Sequence, residues 1–295
     1  MLKKIDMHVH TRMPSTIGRP ANGQTYATPI ELQEMYKKIG VETGVILPRV
    51  SPECALDVQS NENAKELADK YQMYWFCNVD PRFGGNTPDY NLSYFLEYYK
   101  AQGAKGVGEV VANLHFDHPF MQNLFYHCEK TGLPLLFHIA PKVGGYYGIV
   151  DDPGLPRLET SLAKYPNLLF IGHSQPFWAE ISKGLPTDSR NSYPTGKVTP
   201  GRVVALMEKY PNLHADLSAG SGFNAVSRDP EFGVWFLETF ADRLYYGTDI
   251  CAPENIHAPF IGLSKWLDEL VEKGKISDLA YRKISRENAL KILEK

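Results

Sequence analysis

The segment Ile5-Asp6-Met7-His8-Val9-His10 sets two imidazoles two residues apart. Side chains alternate faces along a β-strand, so His8 and His10 are expected side by side at the strand's end, with Asp6 deeper on the same face. Two neighbouring imidazoles make half of a divalent-metal site, with zinc the leading cation for such ligands. The spacing alone is weak, because His-x-His arises by chance in many chains. Four further residues have a matching setting, each at the C-terminal end of an apolar run. Glu109 follows Val107-Gly108, His138 follows Leu135-Leu136-Phe137, His173 follows Phe170-Ile171-Gly172, and Asp249 follows Tyr246-Gly247-Thr248. Burying a charged group unpaired costs several kcal/mol. A bound divalent metal, one ion or two per chain, is the simplest partner that satisfies His8, His10, Glu109, His138, His173 and Asp249 together.

These runs belong to a regular series. Candidate strands are Ile5–His10, Gly44–Pro48, Tyr74–Asp80, Lys105–Val110, Pro134–Ala140, Leu168–His173, Leu213–Ser218 and Leu244–Asp249, starting 29 to 45 residues apart. A strand plus its crossover helix needs about 30 residues, so the series reads as consecutive βα units. The helical stretches between them carry their own stops and starts. Thr28-Pro29-Ile30-Glu31 is a capping box with Pro at the first helical position, and Gly40 ends that helix. His118-Pro119 opens another, which Gly132 closes. Lys-Tyr-Pro-Asn-Leu occurs at 164–168 and again at 209–213, the same helix-to-strand turn solved twice. Eight such units predict an α/β chain folded as a single (β/α)₈ TIM barrel over residues 1–295, with the metal site at the C-terminal mouth of the strands. Two connections exceed ordinary length, 11–27 after the first strand and 174–201 after the sixth. Both leave the face where barrel sites form and are read as lid-like loops.

Bulk properties narrow the partners. The chain has 295 residues, 43% hydrophobic and 22% charged, enough for a sizeable core. A net charge of -3 offers no basic field for nucleic acid. No apolar run approaches the roughly 20 residues of a membrane span. Four cysteines at 54, 77, 128 and 251 form no C-x-x-C pair, which argues against a disulfide framework or a cysteine zinc site. A cytoplasmic protein acting on a small molecule is the expectation.

The ordered set Asp-x-His-x-His, then His on the fifth and sixth strands, then Gly-Thr-Asp on the eighth, resembles the amidohydrolase superfamily of metal-dependent hydrolases. The ending Glu287-Asn288-Ala289-Leu290-Lys291-Ile292-Leu293 is similar to that superfamily's usual last helix. The branch it resembles most is the amidohydrolase-related family, which includes aminocarboxymuconate-semialdehyde decarboxylase and lactone hydrolases. The resemblance implies that His8, His10, His138 and Asp249 ligate metal. It implies that His173 handles the substrate or activated water, or serves a second metal. Many members carry a carboxylated Lys on the fourth strand. Here the position holds Glu109, as in TatD-type nucleases, where the carboxylate joins or bridges metals. The implied reaction is hydrolysis of a small polar ester, lactone or amide by metal-activated water, with Asp249 as general acid and base. The alternatives are non-oxidative decarboxylation of an aromatic or unsaturated carboxylate, TatD-like phosphodiester cleavage and non-catalytic metal binding. A homodimer is in keeping with related barrels.

The remaining polar residues are weaker. Arg12, Arg19, Arg49 and Arg82 follow the first three strands, and any of them could pair with a substrate carboxylate or with surface acids. Ser218 ends the seventh strand and could line the pocket. Asp6 is expected to be structural, His127 to be a surface residue, and His214 to lie at the stability end of the barrel.

Overall fold

The structure is a computed structural model and describes residues 2–14, 17–54 and 57–294. Among the described residues there are nine parallel-paired strands: β1 (Lys4–Val9), β2 (Val41–Ile46), β3 (Tyr74–Trp75), β4 (Val107–Val110), β5 (Leu135–Ala140), β6 (Ile149–Val150), β7 (Phe170–His173), β8 (Leu213–Asp216) and β9 (Leu244–Tyr245). β1, β2 and β3 form one sheet, and β4, β5, β7, β8 and β9 run in order in the other. Backbone bonds join the two. Cys77 N donates to Gly106 O at 2.9 Å, and Gly108 N to Cys77 O at 2.9 Å, linking the chain beyond β3 to β4. Met7 N donates to Tyr246 O at 3.0 Å and His10 N to Ile250 O at 2.9 Å, linking β9 and the chain beyond it back to β1. The eight strands other than β6 therefore close into the expected TIM barrel.

Six of the eight strands lie at the expected places. The third and eighth, expected to run to Asp80 and Asp249, end their regular pairing at Trp75 and Tyr245 and continue through isolated bridges. β6 was not expected. It pairs with β5 through Ile139–Ile149 and Ala140–Val150, bridges through Val150 to His115 in the segment after β4, and pins the connection leaving β5.

Helices wrap the barrel where the punctuation placed them. Thr28 and Glu31 form the reciprocal cap of Pro29–Ile39, and Gly40 ends it at φ 71°, where glycine carries no Cβ penalty. His118 caps Pro119–Thr131 by accepting from Phe120 N. Tyr165 and Tyr210, from the repeated pentapeptide, end Pro156–Lys164 and Arg202–Lys209. The barrel interior packs Ile5, Met7, Val45, Leu47, Phe76, Leu136, Ile171 and Tyr245. Ala289, Ile292 and Leu293 of the last helix (Asn288–Leu293) close its floor. A larger apolar layer, with Phe116, Phe125, Phe137, Phe170 and Phe177, lies between strands and helices.

One facing rule fails, and the failure builds the site. Ile5 and Met7 point into the barrel, while Asp6 accepts a hydrogen bond from Tyr36 of the surrounding helix at 2.7 Å. Strict alternation would send His8 outward with Asp6. The β1–β2 register instead shifts between Asp6 and Val9, which leaves His8 and His10 facing inward. Asp6 Oδ1 accepts from His8 N at 3.0 Å and Thr248 N at 2.8 Å, which fixes the irregularity. Bulges next to active sites re-aim side chains in this way. The β4–β5 register shifts likewise between Val107 and Val110, the stretch that carries Glu109. β5 and β7 keep normal alternation and pair His138 with His173.

Candidate metal centre and active site

Local structure holds each of the six side chains at the barrel mouth. His8 Nδ1 lies 2.6 Å from Asp216 Oδ2, and His10 Nδ1 lies 2.8 Å from the Leu47 carbonyl. A carbonyl and a carboxylate only accept, so both Nδ1 atoms carry the protons. In neutral rings both Nε2 atoms then present lone pairs, and they face each other at 3.0 Å. Two facing lone pairs repel unless a cation sits with them. Carboxylates gather at the same point. Glu109 Oε2 is 3.3 Å from His10 Nε2 and 3.8 Å from His8 Nε2, and Asp249 Oδ1 is 3.4 and 3.5 Å from the same two atoms. Glu109 Oε2 is buried without a hydrogen-bond partner among the described residues. An orphaned buried carboxylate oxygen beside two imidazole lone pairs fits a divalent cation.

A second cluster continues from the first. Glu109 Oε1 lies 2.8 Å from His138 Nδ1, and the His138 and His173 rings are 5.4 Å apart. His173 Nε2 is 3.8 Å from Asp249 Oδ2. Three ligand triads fit one ion each by distance: His8, His10 and Glu109; His8, His173 and Asp249; and Glu109, His138 and His173. The two Glu109 oxygens face the first and third of these triads.

The electrostatics suit positive charge. Burial opposes ionisation of Glu109, yet contacts with His10, His138 and His8 hold its carboxyl well below the usual range. Burial also opposes ionisation of Asp249, and His8 and His10 outweigh it in the same sense. His8 loses solvation too, but Asp249 and Asp216 outweigh that loss and raise its affinity for positive charge. Burial lowers the basicity of His138, which keeps the ring neutral and able to ligate.

Asp216 was missed by the sequence reading, and its position is central. It is fully buried, with Oδ2 2.6 Å from His8 Nδ1, 3.2 Å from His173 Nδ1, and accepting from Ser218 Oγ at 2.7 Å. Burial disfavours its charge, but His8 and His173 keep it ionised. The signal was present: Leu213-His214-Ala215-Asp216-Leu217 puts an acid on the inward face of β8, where strand alternation demands an apolar side chain. Gly247 leaves the room it occupies, since a Cβ there would meet Asp216 Oδ1 at 2.5 Å.

Other expected residues distribute differently. Ser218 has no exposure and lies behind the imidazoles, 3.3 and 3.2 Å from Nδ1 of His8 and His173. It supports the histidines there instead of lining the pocket. Arg12, Arg19 and Arg49 converge on Tyr26, which the sequence did not single out. Their guanidinium carbons lie 4.1, 4.7 and 5.8 Å from its ring centre. Arg49 Nη2 donates to Tyr26 Oη at 3.0 Å, and Arg49 Nη1 lies 3.9 Å from Glu109 Oε2. Arg12 also pairs with Asp57, while its buried Nε has no partner among the described residues. The 11–27 connection thus brings Arg12, Arg19 and Tyr26 to the mouth. Arg82 pairs instead with Glu53 and Asp80. His127 is buried, not on the surface, with Nδ1 2.7 Å from Ser93 Oγ. His214 contacts Tyr245 Oη at 2.8 Å.

The family described as Amidohydrolase matches residues 5–295, and the chain belongs to that family. No curated protein is similar enough to count as a match. Among solved structures, the chain is similar to 2,6-dihydroxybenzoate decarboxylase from Rhizobium, at 16% identity and a TM-score of 0.59, covering 100% of this chain and 99% of that one. It is similar to a probable 2-pyrone-4,6-dicarboxylic acid hydrolase from Acinetobacter baumannii with citric acid bound, at 12% identity and TM-score 0.58, covering 100% of both. It is also similar to a dihydroxybenzoic acid decarboxylase from Polaromonas with bound manganese and 2-nitroresorcinol, at 15% identity and TM-score 0.54, covering 100% of this chain and 97% of that one. At these identities the likeness establishes the shared fold. Among the described residues no helix is long and apolar enough to cross a membrane.

Proposed function

We propose that the protein is a metal-dependent hydrolase of a small ester, lactone or amide that carries a carboxylate. The observation that supports this most directly is the exposure of Asp249. Its side chain is 27% exposed, while those of His8, His10, Glu109, His138 and His173 are 9% or less. Among the six, Asp249 is the most exposed, and it lies between the two histidine clusters. That is where a nucleophilic water has to enter and lose its proton.

His8, His10, Glu109 and Asp249, with His138 and His173 alongside, would hold a divalent cation, which would supply Lewis acidity for activating water and polarising a carbonyl. Zinc suits this mixture of imidazole and carboxylate. Asp249 accepts the water's proton on one carboxylate oxygen and returns it to the leaving group. Its positive φ of 57°, tolerated by Asp more readily than by most residues, turns the carboxylate across the mouth, and Asp249 N donates to His8 O at 2.8 Å to hold it. His173, with Nδ1 against Asp216 and Ser218, directs Nε2 toward Asp249 and the reacting carbonyl. Arg12, Arg19 and Arg49 beside Tyr26 receive the substrate's carboxylate.

The same arginines favour a second reading, decarboxylation, in which the bound carboxylate is the group lost and Asp249 protonates carbon. One experiment tests both. Metal content of protein purified without chelator is measured for the parent chain, His8→Ala and Glu109→Ala, beside a panel of esters, lactones, amides and aromatic acids assayed for hydrolysis and for carbon dioxide. Bound metal with hydrolytic turnover supports the proposal. Two ions per parent chain, falling to one in Glu109→Ala, would assign Glu109 as a bridge. Carbon dioxide release without hydrolysis would select the second reading. A chain that binds no divalent metal under any supply would refute both.

A further inference from the structure

The connection from β5 to β6 carries Pro141-Lys142-Val143-Gly144-Gly145-Tyr146-Tyr147-Gly148. Nothing in its sequence singles it out, and it is shorter than either lid-like loop. Yet Tyr147 stands directly over the metal centre. Its ring centre is 4.5 Å from that of His138, at an interplanar angle of 49°, and the Arg49 guanidinium carbon lies 6.0 Å from it on the side of Tyr26 and Glu109. The side chain is 38% exposed, so it borders both the cavity and the solvent through which a substrate arrives.

The loop is held in place at both ends. Asn113, buried just beyond β4, accepts from Gly144 N at 2.6 Å and donates to Lys142 O at 3.2 Å and Gly148 O at 3.1 Å. Gly148 N donates to Val111 O at 2.8 Å. Gly148 itself has a φ of 115°, and a Cβ there would meet His138 Cδ2 and its carbonyl oxygen, each at 2.8 Å. One buried amide therefore spans both stems and sets the tyrosine tip against His138. A residue so fixed is already placed to bind, with little ordering left to cost affinity.

We propose that Tyr147 is a substrate-contacting residue, donating its phenol hydrogen to an oxygen of the bound substrate beside Arg49, and that Asn113 is its positioning residue. The proposal rests on reading the site as one for a small oxygen-rich substrate. It adds a specificity element next to Arg49: substrates that offer acceptor oxygens to both the guanidinium and the phenol are selected, and those with an acceptor for only one of them are disfavoured.

The test uses the full chain loaded with metal and 2-nitroresorcinol as the probe, whose nitro and phenolic oxygens offer acceptors on several sides. Calorimetry measures its Kd for the parent chain, Tyr147→Phe, Asn113→Ala and the double variant, with bound metal measured in each. The expected result is a five- to twentyfold weaker Kd for Tyr147→Phe at unchanged metal content. Asn113→Ala should weaken binding in the same direction, and the double variant should be no weaker than Tyr147→Phe. A parent chain that does not bind the probe, or a Tyr147→Phe Kd within twofold of the parent, overturns the role of Tyr147. An Asn113→Ala effect that persists undiminished on the Tyr147→Phe background overturns the positioning role. Failure of the functional reading is separate, since it shows as absent metal or an inactive panel in the parent chain.

Discussion

Replacing Asp216 with Asn tests the idea that the centre is assembled from behind the imidazoles. Asp216 Oδ2 takes the His8 Nδ1 proton at 2.6 Å and the Ser218 hydroxyl at 2.7 Å, and Oδ1 accepts from Ser218 N at 2.9 Å. An amide is nearly the same size, so the barrel should fold. It can present its one oxygen to His8 or to Ser218 N, not to both. If the oxygen faces His8, the new NH₂ meets a backbone donor, and a buried donor pair is unsatisfied at a cost of about 1–3 kcal/mol. If it flips, His8 Nδ1 meets a donor and its ring must turn or change tautomer, which removes the Nε2 lone pair from the site. In either case the negative charge that raises the ring's basicity is lost. Loss of such a carboxylate behind a metal-binding His typically costs 10–100-fold in metal affinity, or about 1.4–2.7 kcal/mol. The assay is competition with a chromophoric chelator for zinc and for manganese, comparing parent and Asp216→Asn, with Tm measured metal-free and loaded. The metal-free variant should melt within a few degrees of the parent, and the loaded variant should lose most of its metal-dependent rise in Tm. A folded Asp216→Asn protein with parent affinity for both cations would refute the reasoning.

Other consequences can be checked directly. His10→Ala should abolish stoichiometric metal binding in elemental analysis without unfolding the chain, because it removes one of two facing lone pairs and costs the Leu47 carbonyl only its imidazole donor. Gly148→Ala combines a left-handed backbone with a Cβ at 2.8 Å from His138, and should cost about 1–3 kcal/mol in denaturant unfolding while lowering metal affinity. Burial pushes His214 down from 6.5 to about 3, the neighbouring Arg243 adding to the effect, so the fold holds it neutral. Its contribution is therefore present above about pH 6.5 and is lost as pH falls toward 3. At 1.36 kcal/mol per unit this is about 5 kcal/mol at full loss, and His214→Gln should flatten the parent's acid-unfolding curve across that window. Asp249→Asn should reduce turnover of any panel substrate by at least about a hundredfold, the scale of a lost general acid and base, measured as kcat at saturating metal.

The barrel was legible because βα units follow one another at the spacing a strand and crossover helix need, and because polar residues at the ends of apolar runs violate the core pattern. The same violation marked His138, His173, Glu109 and Asp249, which the structure brings within reach of one another. Alternation on β1 misled, since Asp6 and His8 face opposite ways across a register shift that no local propensity encodes. Asp216 escaped notice because attention went to the last residue of each run, and it lies two before the end. Tyr26, Asn113 and Tyr147 were illegible for another reason. They sit in loops, where the sequence shows turn chemistry but not which side chain the surrounding strands will bring to the mouth. The 11–27 connection, expected as a lid-like loop, contributes Tyr26 and two of the guanidiniums around it, Arg12 and Arg19.

The closure of β9 onto β1 has a consequence for how the centre comes into being. Asp249 N bonds to His8 O, and Asp6 binds Thr248 across 242 positions of chain. The floor beneath them is completed by Ala289, Ile292 and Leu293. Contacts so distant in sequence form late, after the entropy of closing nearly the whole chain has been overcome. Until that closure forms, His8 and His10 lack the Asp249 carboxylate beside them. A cation held by all of these groups together would therefore be bound by the closed barrel.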